Sequence, residues 1–139
     1  MKQHSKELKL VLLFQLGASI HQFSRLAESK LGISLVQWCL LQTLTDMPGT
    51  SALGLAKATG VHPSTLTQSL KRLQRKGYVF VGPCPKDSRR KVVSITRAGK
   101  SAVDDASDIC LKWSSAISEI ENELTRLRAF LLSQNDGLL

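Results

Sequence analysis

The sequence has few cysteines, no long apolar run and almost no acidic residue in its middle part, and each absence excludes a class of protein. The three cysteines, Cys39, Cys84 and Cys110, form neither a CxxC motif nor an even set for disulfides, which predicts a reduced, cytoplasmic protein. No apolar run reaches the ~20 residues that a membrane-spanning helix requires. Glu7 and Lys9 interrupt the apolar N-terminal stretch, which favours an amphipathic helix over a secretory signal.

Catalytic and metal-binding patterns are also missing. The sequence contains no evident pair of carboxylates, no Ser-His-Asp order and no glycine-rich phosphate loop that would indicate an enzyme. The histidines His4, His21 and His62 have no metal-ligand spacing with one another or with the cysteines. We therefore expect a protein that is not an enzyme and that needs neither a metal nor another cofactor.

The scarce acidic residues are distributed so unevenly that one segment is strongly cationic. Residues 57–100 contain eleven lysines and arginines but only one acid, Asp87, whereas residues 101–139 contain three cations and seven acids. Such asymmetry indicates a polyanionic partner for the middle segment, with nucleic acid as the first candidate. A basic face that is merely solvated is the alternative that charge alone leaves open.

Helical periodicity predicts four helices in the first half of the chain. Their limits follow from N-cap serines, from glycines suited to the C′ position, and from prolines at a break or at a first helical turn. The predicted helices span 6–31, 34–47, 52–59 and 63–76.

The sequence of the remaining part of the chain predicts a β-hairpin followed by helices that carry a continuous row of apolar residues, here called the apolar seam. Residues 78–82 and 91–95 are rich in β-branched and aromatic side chains and are separated by a loop with glycine and proline. Apolar residues then recur at spacings of three and four from Val103 to Leu131, which predicts helices that pack against other helices. Ser114 and Ser115 suggest a bend between two such helices.

The third and fourth predicted helices, joined by a short turn at Val61 and His62, have the layout of a helix-turn-helix motif. In that motif the second helix lies in the major groove of DNA, and its N-terminal residues contact base edges. Gln68 can bond adenine with both ends of its amide. The predicted DNA contacts of this recognition helix are His62, Ser64, Thr65, Thr67, Gln68, Lys71, Arg72 and Arg75.

A hairpin after a recognition helix is a wing, whose tip can reach the adjacent minor groove. Narrow A·T-rich minor grooves concentrate negative potential and attract arginine. Asp87 stands two residues before Arg89 and is placed to hold one guanidinium while another reaches outward. The predicted DNA contacts of the wing are Lys86, Asp87, Arg89, Arg90 and Lys91.

With these motifs the chain resembles the MarR (multiple-antibiotic-resistance regulator) family of winged-helix transcription factors over about residues 30–102. The resemblance rests on the helix pair, on STLTQSLKRLQRKGYV, on the wing signature Asp87-Ser88-Arg89-Arg90, and on SITRAGK. It implies a mainly α fold with a small β wing. In this organisation residues 34–100 form a winged helix-turn-helix DNA-binding lobe, and residues 1–33 and 101–139 form a helical dimerisation region.

The function implied by this resemblance is that of a homodimer that binds a pseudo-palindromic operator in double-stranded DNA, usually as a repressor. Arg89 or Arg90 at the wing tip would enter the minor groove. The family often has arginine after the threonine that corresponds to Thr67, but this chain has Gln68, so no base preference follows.

Dimerisation also follows from the residues themselves. The two terminal amphipathic segments have more apolar surface than a small core can cover, and a two-fold dimer is the commonest way to bury it. Two alternatives stay open: a nonspecific DNA- or RNA-binding architectural module, and a protein-interaction dimer whose basic face is only solvated.

Two signals could release such a regulator from DNA. By resemblance, a small aromatic or anionic effector would bind near His21, Arg25, Trp38 and the face near Cys39, although simple packing is the favoured interpretation of these side chains. A redox signal would act on Cys84, because neighbouring cations favour a thiolate, although an unreactive thiol is the simpler interpretation. Cys39 and Cys110 are predicted to be unreactive core residues.

Overall fold

The computed structural model describes the chain from residue 2 to residue 136, with side chains from residue 9 to residue 135. Residues 1 and 137–139, which the sequence assigns to the dimerisation region, lie outside the described part, as does the side chain of His4. Within it the elements are α1 (Lys2–Leu31), α2 (Leu35–Asp46), α3 (Ala52–Thr59), α4 (Pro63–Arg75), β1 (Val79–Pro83), β2 (Lys91–Ile95), α5 (Arg97–Ser118) and α6 (Glu121–Asp136). Two compact units divide the chain between Asp105 and Ala106.

The helix ends follow the local signals in the sequence. Ser34 begins α2 with a capping box, in which its hydroxyl accepts from the Gln37 amide at 3.1 Å and its own amide donates to the Gln37 side chain at 3.2 Å. Ser51 caps α3 by accepting from the Gly54 amide at 3.0 Å. Gly60 ends α3 with a φ of 72°, a left-handed conformation that glycine adopts without steric cost. The predicted limits of α2 and α3 are thus confirmed to within one residue, whereas α1 begins at Lys2, before the predicted start at residue 6.

The core of the first unit lies among α2, α3, α4 and the hairpin. Leu66, Leu70 and Leu73 of α4 are buried, as their spacing predicts, so the opposite face of this helix is turned to solvent. The core also contains Ile33, Leu40, Leu41, Leu44, Leu55, Ala56, Val79, Val93 and Val103.

The hairpin is antiparallel, with Val79 opposite Ile95 and Pro83 opposite Lys91. It is fastened to the preceding helices, because the Val93 amide donates to the Thr50 carbonyl at 2.7 Å in an isolated bridge. The wing is therefore attached to the loop between α2 and α3, which holds it beside the helix-turn-helix.

The base of the hairpin is closed by Thr96, the predicted cap of α5. Its hydroxyl accepts from the Gly99 amide at 3.1 Å and donates to the Gly77 carbonyl at 2.6 Å. A Cβ atom at Gly99 would overlap the carbonyl of Tyr78. The close approach of α5 to the hairpin therefore depends on glycine at this position.

The two helices suggested for this part of the chain are present, but the break between them does not lie at Ser114 and Ser115. Helix α5 continues to Ser118, whose hydroxyl donates to the Ser114 carbonyl at 2.8 Å, and the interruption lies at residues 119–120. A serine hydroxyl inside a helix can donate a hydrogen bond to a backbone carbonyl of the preceding turn, so two serines do not by themselves end a helix. In the described part of the chain, no helix has both the length and the apolar character needed to span a bilayer.

Candidate nucleic-acid interface

The outer face of α4 brings the predicted recognition residues together. Because the three buried leucines face the core, the polar residues between them are turned to solvent. All eight predicted positions are exposed, namely His62, Ser64, Thr65, Thr67, Gln68, Lys71, Arg72 and Arg75.

Two of these side chains have structural roles at the start of α4. His62 is the N-cap, since its Nδ1 accepts from the Ser64 amide at 3.2 Å and lies 2.8 Å from the Ser64 hydroxyl. The Thr67 hydroxyl donates to the Pro63 carbonyl at 2.9 Å. Within the described residues, the Thr65 and Gln68 side chains make no hydrogen bond, so their donors and acceptors are available to a ligand.

The wing tip is a short loop closed by its own backbone. The Cys84 amide donates to the Arg90 carbonyl at 2.7 Å, and the Arg90 amide donates to the Asp87 carbonyl at 3.0 Å. These bonds bring the two arms of the loop together and present its cationic side chains on a defined scaffold. Lys86, Arg89, Arg90 and Lys91 are all exposed.

Asp87 orients one wing arginine, as the sequence predicts. One carboxylate oxygen, Oδ1, accepts from the Arg89 amide at 3.1 Å and from Arg89 Nε at 3.3 Å, while the Arg89 side chain stays 91% exposed. Such an exposed pair contributes little to stability, so its effect is to restrict where the guanidinium points. Among the described residues Arg90 makes no ion pair, which leaves its charge uncompensated.

The two wing arginines line different cavities. Arg89 lines a cavity of about 440 Å³ between the last turn of α4 and the wing, together with Gln74, Val81, Gly82, Pro83, Ser88 and Lys91. Arg90 lines a cavity of about 500 Å³ together with Gly49, Ser51, Leu53, Cys84, Lys91 and Val92. Gln74 and Ser88 were not among the predicted DNA contacts, and only the packing of the hairpin beside α4 brings them to one cavity.

A third cavity, of about 330 Å³, corresponds in part to the predicted effector site. It brings His21 and Arg25 of α1 together with Cys39 of α2, and Glu28 adds an acid that was not predicted. It is also lined by Ser24, Ser34, Leu35, Val36 and Val61.

Trp38 does not line this cavity, in agreement with the interpretation of this residue as part of the packing and not with its place in the predicted effector site. Its ring packs against the core, with the indole N–H buried and without a hydrogen-bond partner among the described residues. The reason is helical geometry, since adjacent residues of a helix point about 100° apart and Cys39 faces the cavity instead.

The cysteines differ in their surroundings. Burial raises the pKa of the Cys39 thiol, an effect that a hydrogen bond with Thr43 partly opposes, and burial also raises the pKa of Cys110. Both thiols are therefore held in the protonated, poorly nucleophilic form, which agrees with the prediction that they are unreactive. They are half-buried rather than fully buried. Cys84 is half-buried beside Arg90 and Lys91.

Large apolar side chains are exposed on the terminal helices. On α1, Leu10 is 70% exposed and Phe14 is 78% exposed. In the second unit, Leu124 and Leu131 belong to the apolar seam of α6 and are 38% and 40% exposed. Large apolar side chains are more often exposed in this way where a surface is covered by another protein.

Comparison with known proteins agrees with this architecture. The model of the MarR family matches residues 31–90. The transcriptional activatory protein BadR of Rhodopseudomonas palustris is 31% identical over 91 residues, which are 63% of this chain and 52% of BadR. The transcriptional repressor Rv2887 of Mycobacterium tuberculosis is 28% identical over 90 residues, which are 65% of each chain. The chain thus spans about half to two thirds of the length of these relatives.

A solved structure shares the fold over most of its length. A mutant MarR from Escherichia coli, complexed with operator DNA, has a TM-score of 0.69 at 22% identity, and the match covers 86% of this chain and 95% of that one. This likeness confirms the predicted fold class, which is mainly α with a small β wing.

Proposed function

We propose that the chain is a member of the MarR family, whose model matches residues 31–90, and that it is a transcriptional regulator that binds double-stranded DNA as a homodimer. The observation that carries the proposal is the outer face of α4, whose exposed polar residues stand beside a wing with an arginine oriented by Asp87. An enzyme finds no support, since the chain matches a family of regulators.

In the proposed complex, α4 lies in the major groove and the wing enters the adjacent minor groove. Thr65 and Gln68 have uncommitted polar groups near the N-terminus of α4 and would contact base edges. Lys71, Arg72 and Arg75 follow along the helix and would contact phosphates or guanine. His62 would act chiefly as the cap that fixes the start of α4.

The exposed apolar faces of the terminal helices support the dimer. We propose that residues 34–100 form the DNA-binding lobe, and that residues 1–33 and 101–139 form the dimerisation region. A two-fold dimer would place its recognition helices roughly 34–36 Å apart, one turn of DNA. The bound sequence would then be an inverted repeat.

Selection of bound duplexes from a random DNA library tests this function. We expect enrichment of an inverted repeat whose half-sites are about one helical turn apart. Affinity should fall steeply with salt, since each phosphate contact contributes about −0.9 to the logarithmic slope. Equal binding to every duplex would instead identify the nonspecific architectural module, and preferential capture of structured RNA would identify an RNA-binding module.

The direction of regulation is proposed to be repression. The relatives include both an activatory protein and a repressor, so the names alone favour neither. We propose repression because a dimer covering an operator excludes other proteins from the same DNA, and this requires no additional activating surface. We also propose that the protein acts in the cytoplasm, where its target DNA and a reducing environment occur together.

The 330 Å³ cavity is proposed to bind a small aromatic carboxylate that releases the protein from DNA. Its walls combine apolar side chains with the imidazole of His21 and the guanidinium of Arg25, although Glu28 restricts where an anion can lie. We expect Arg25→Ala to weaken benzoate binding about tenfold, the effect of losing one charge-assisted hydrogen bond, while DNA affinity without ligand stays unchanged. Calorimetry measures the affinity for benzoate, and fluorescence anisotropy measures the affinity for DNA in the absence of ligand.

Lys30→Ala is the matched control for this variant, because Lys30 is an exposed cation of the same helix that does not line the cavity. Equal benzoate affinity in the two variants would remove Arg25 from the effector site. The redox alternative rests on Cys84 and its two cationic neighbours, and it stays a prediction.

A further inference from the structure

We propose that the 330 Å³ cavity selects, among aromatic carboxylates, an α-amino acid with an aromatic side chain, whose carboxylate is bound by Arg25 and whose ammonium group is bound by Glu28. The proposal rests on the effector function proposed for this cavity and names the chemical class of its ligand. It also gives a role to Glu28, whose negative charge a simple aromatic carboxylate would leave unused.

Most polar groups around the cavity are already engaged in the fold. The Ser24 hydroxyl donates to the Ile20 carbonyl at 3.0 Å, and the Ser34 hydroxyl accepts from the Gln37 amide at 3.1 Å as the cap of α2. Burial raises the pKa of the Cys39 thiol, so this group stays uncharged at neutral pH. Among the described residues, no hydrogen bond or ion pair engages the three remaining polar side chains, which are those of His21, Arg25 and Glu28.

Arg25 and Glu28 place opposite charges side by side on one face of α1. Residues three positions apart in a helix are neighbours, with their Cβ atoms roughly 5–6 Å apart. The ammonium and carboxylate groups of an amino acid are bonded to one carbon atom, so a single ligand can meet both side chains at once. A ligand with a carboxylate alone would instead bring its negative charge close to that of Glu28, which disfavours binding.

His21 lies one helical turn before Arg25 and lines the same cavity. A neutral imidazole has one N–H donor, which can form a second hydrogen bond to the ligand carboxylate. The carboxylate would then be met by two donors and the ammonium group by one acceptor.

The walls that come from outside α1 suit an aromatic ring. Leu35 and Val36 of the first turn of α2 and Val61 of the turn before α4 are apolar, and the neutral Cys39 thiol lies among them. A volume of about 330 Å³ is near the lower end of the range for ligand pockets, roughly 300–1,000 Å³, and therefore fits a ligand as small as one amino acid.

The test measures, by calorimetry, the affinity of wild type and of Glu28→Gln for three ligands with the same ring. These are L-phenylalanine, hydrocinnamate, which lacks the ammonium group, and phenethylamine, which lacks the carboxylate. In wild type we expect phenylalanine to bind at least about tenfold more tightly than either analogue, because each analogue loses one charge-assisted contact.

Glu28→Gln should weaken phenylalanine binding at least about tenfold and strengthen hydrocinnamate binding, because it removes an attraction to the ammonium group and a repulsion of the carboxylate. A purely structural role of Glu28 would shift both affinities in the same direction. Asp46→Asn is the matched control, since Asp46 is an exposed acid of α2 that lines none of the cavities described above, and it should leave all three affinities unchanged.

Two results would overturn the amino-acid assignment, namely hydrocinnamate binding to wild type as tightly as phenylalanine, or equal losses of both ligands in Glu28→Gln. An affinity for benzoate that depends on Arg25 would still support the proposed effector site in either case. Absence of binding by both phenylalanine and benzoate would instead overturn the effector function proposed for this cavity.

Discussion

Replacement of Arg89 and Arg90 together by alanine is expected to lower operator affinity at least about 30-fold, because each arginine contact with DNA is worth roughly 1–3 kcal/mol. The salt slope should become shallower by about two, one for each phosphate-equivalent charge removed. Both effects follow from the wing tip, where Asp87 orients Arg89 and Arg90 stays unpaired among the described residues. Fluorescence anisotropy across a salt series measures affinity and slope together.

The matched control for this variant is Arg126→Ala/Arg128→Ala, which removes the same charge from α6. Both of these arginines are exposed and lie outside the cationic segment. Circular dichroism should show the same helix content in both variants. Equal losses of affinity in the two would mean that only total charge matters, and an unchanged affinity in the wing variant would favour the alternative of a protein-interaction dimer.

Charges placed on the apolar seam of α6 are expected to convert the protein to monomers. The double substitution Leu124→Arg/Leu131→Arg puts two cations on a face that the proposed dimer buries, and an unpaired buried charge costs several kcal/mol. Because a monomer presents only one recognition helix, operator affinity should fall at least about 100-fold, while binding to a single half-site persists weakly. Sedimentation velocity measures the mass, and anisotropy measures the affinity.

Asn122→Arg/Ser133→Arg provides the control on the opposite face of α6, where both side chains are exposed. It adds the same charge to the same helix without touching the seam. A seam variant that stays dimeric would mean that α6 does not contribute to the interface. A monomer with full operator affinity would show that the dimer is unnecessary for recognition.

Much of the fold was predictable because the first and last residues of its helices are set by interactions between neighbouring residues. Ser34 and Ser51 cap α2 and α3 with bonds to residues three positions away, and Gly60 and Gly77 adopt positive φ where each helix ends. Such signals involve neighbours in sequence, so no knowledge of packing is needed to interpret them. The position of the break between α5 and α6 was not predictable in the same way, because it lies at residues 119–120, and the suggested Ser114 and Ser115 lie inside α5.

The sequence by itself determined the approximate positions of the helices and the hairpin, the cationic segment that contains α4 and the hairpin, and the pairing of Asp87 with Arg89, which lie two residues apart. Only the tertiary structure decided that Trp38 packs against the core while Cys39 lines a cavity. Only the tertiary structure, likewise, places Gln74 in the lining of the same cavity as Ser88 and Lys91. The physical reason is distance along the chain. Local hydrogen bonds and backbone preferences act within a few residues, whereas the walls of a cavity come from segments that packing alone brings together.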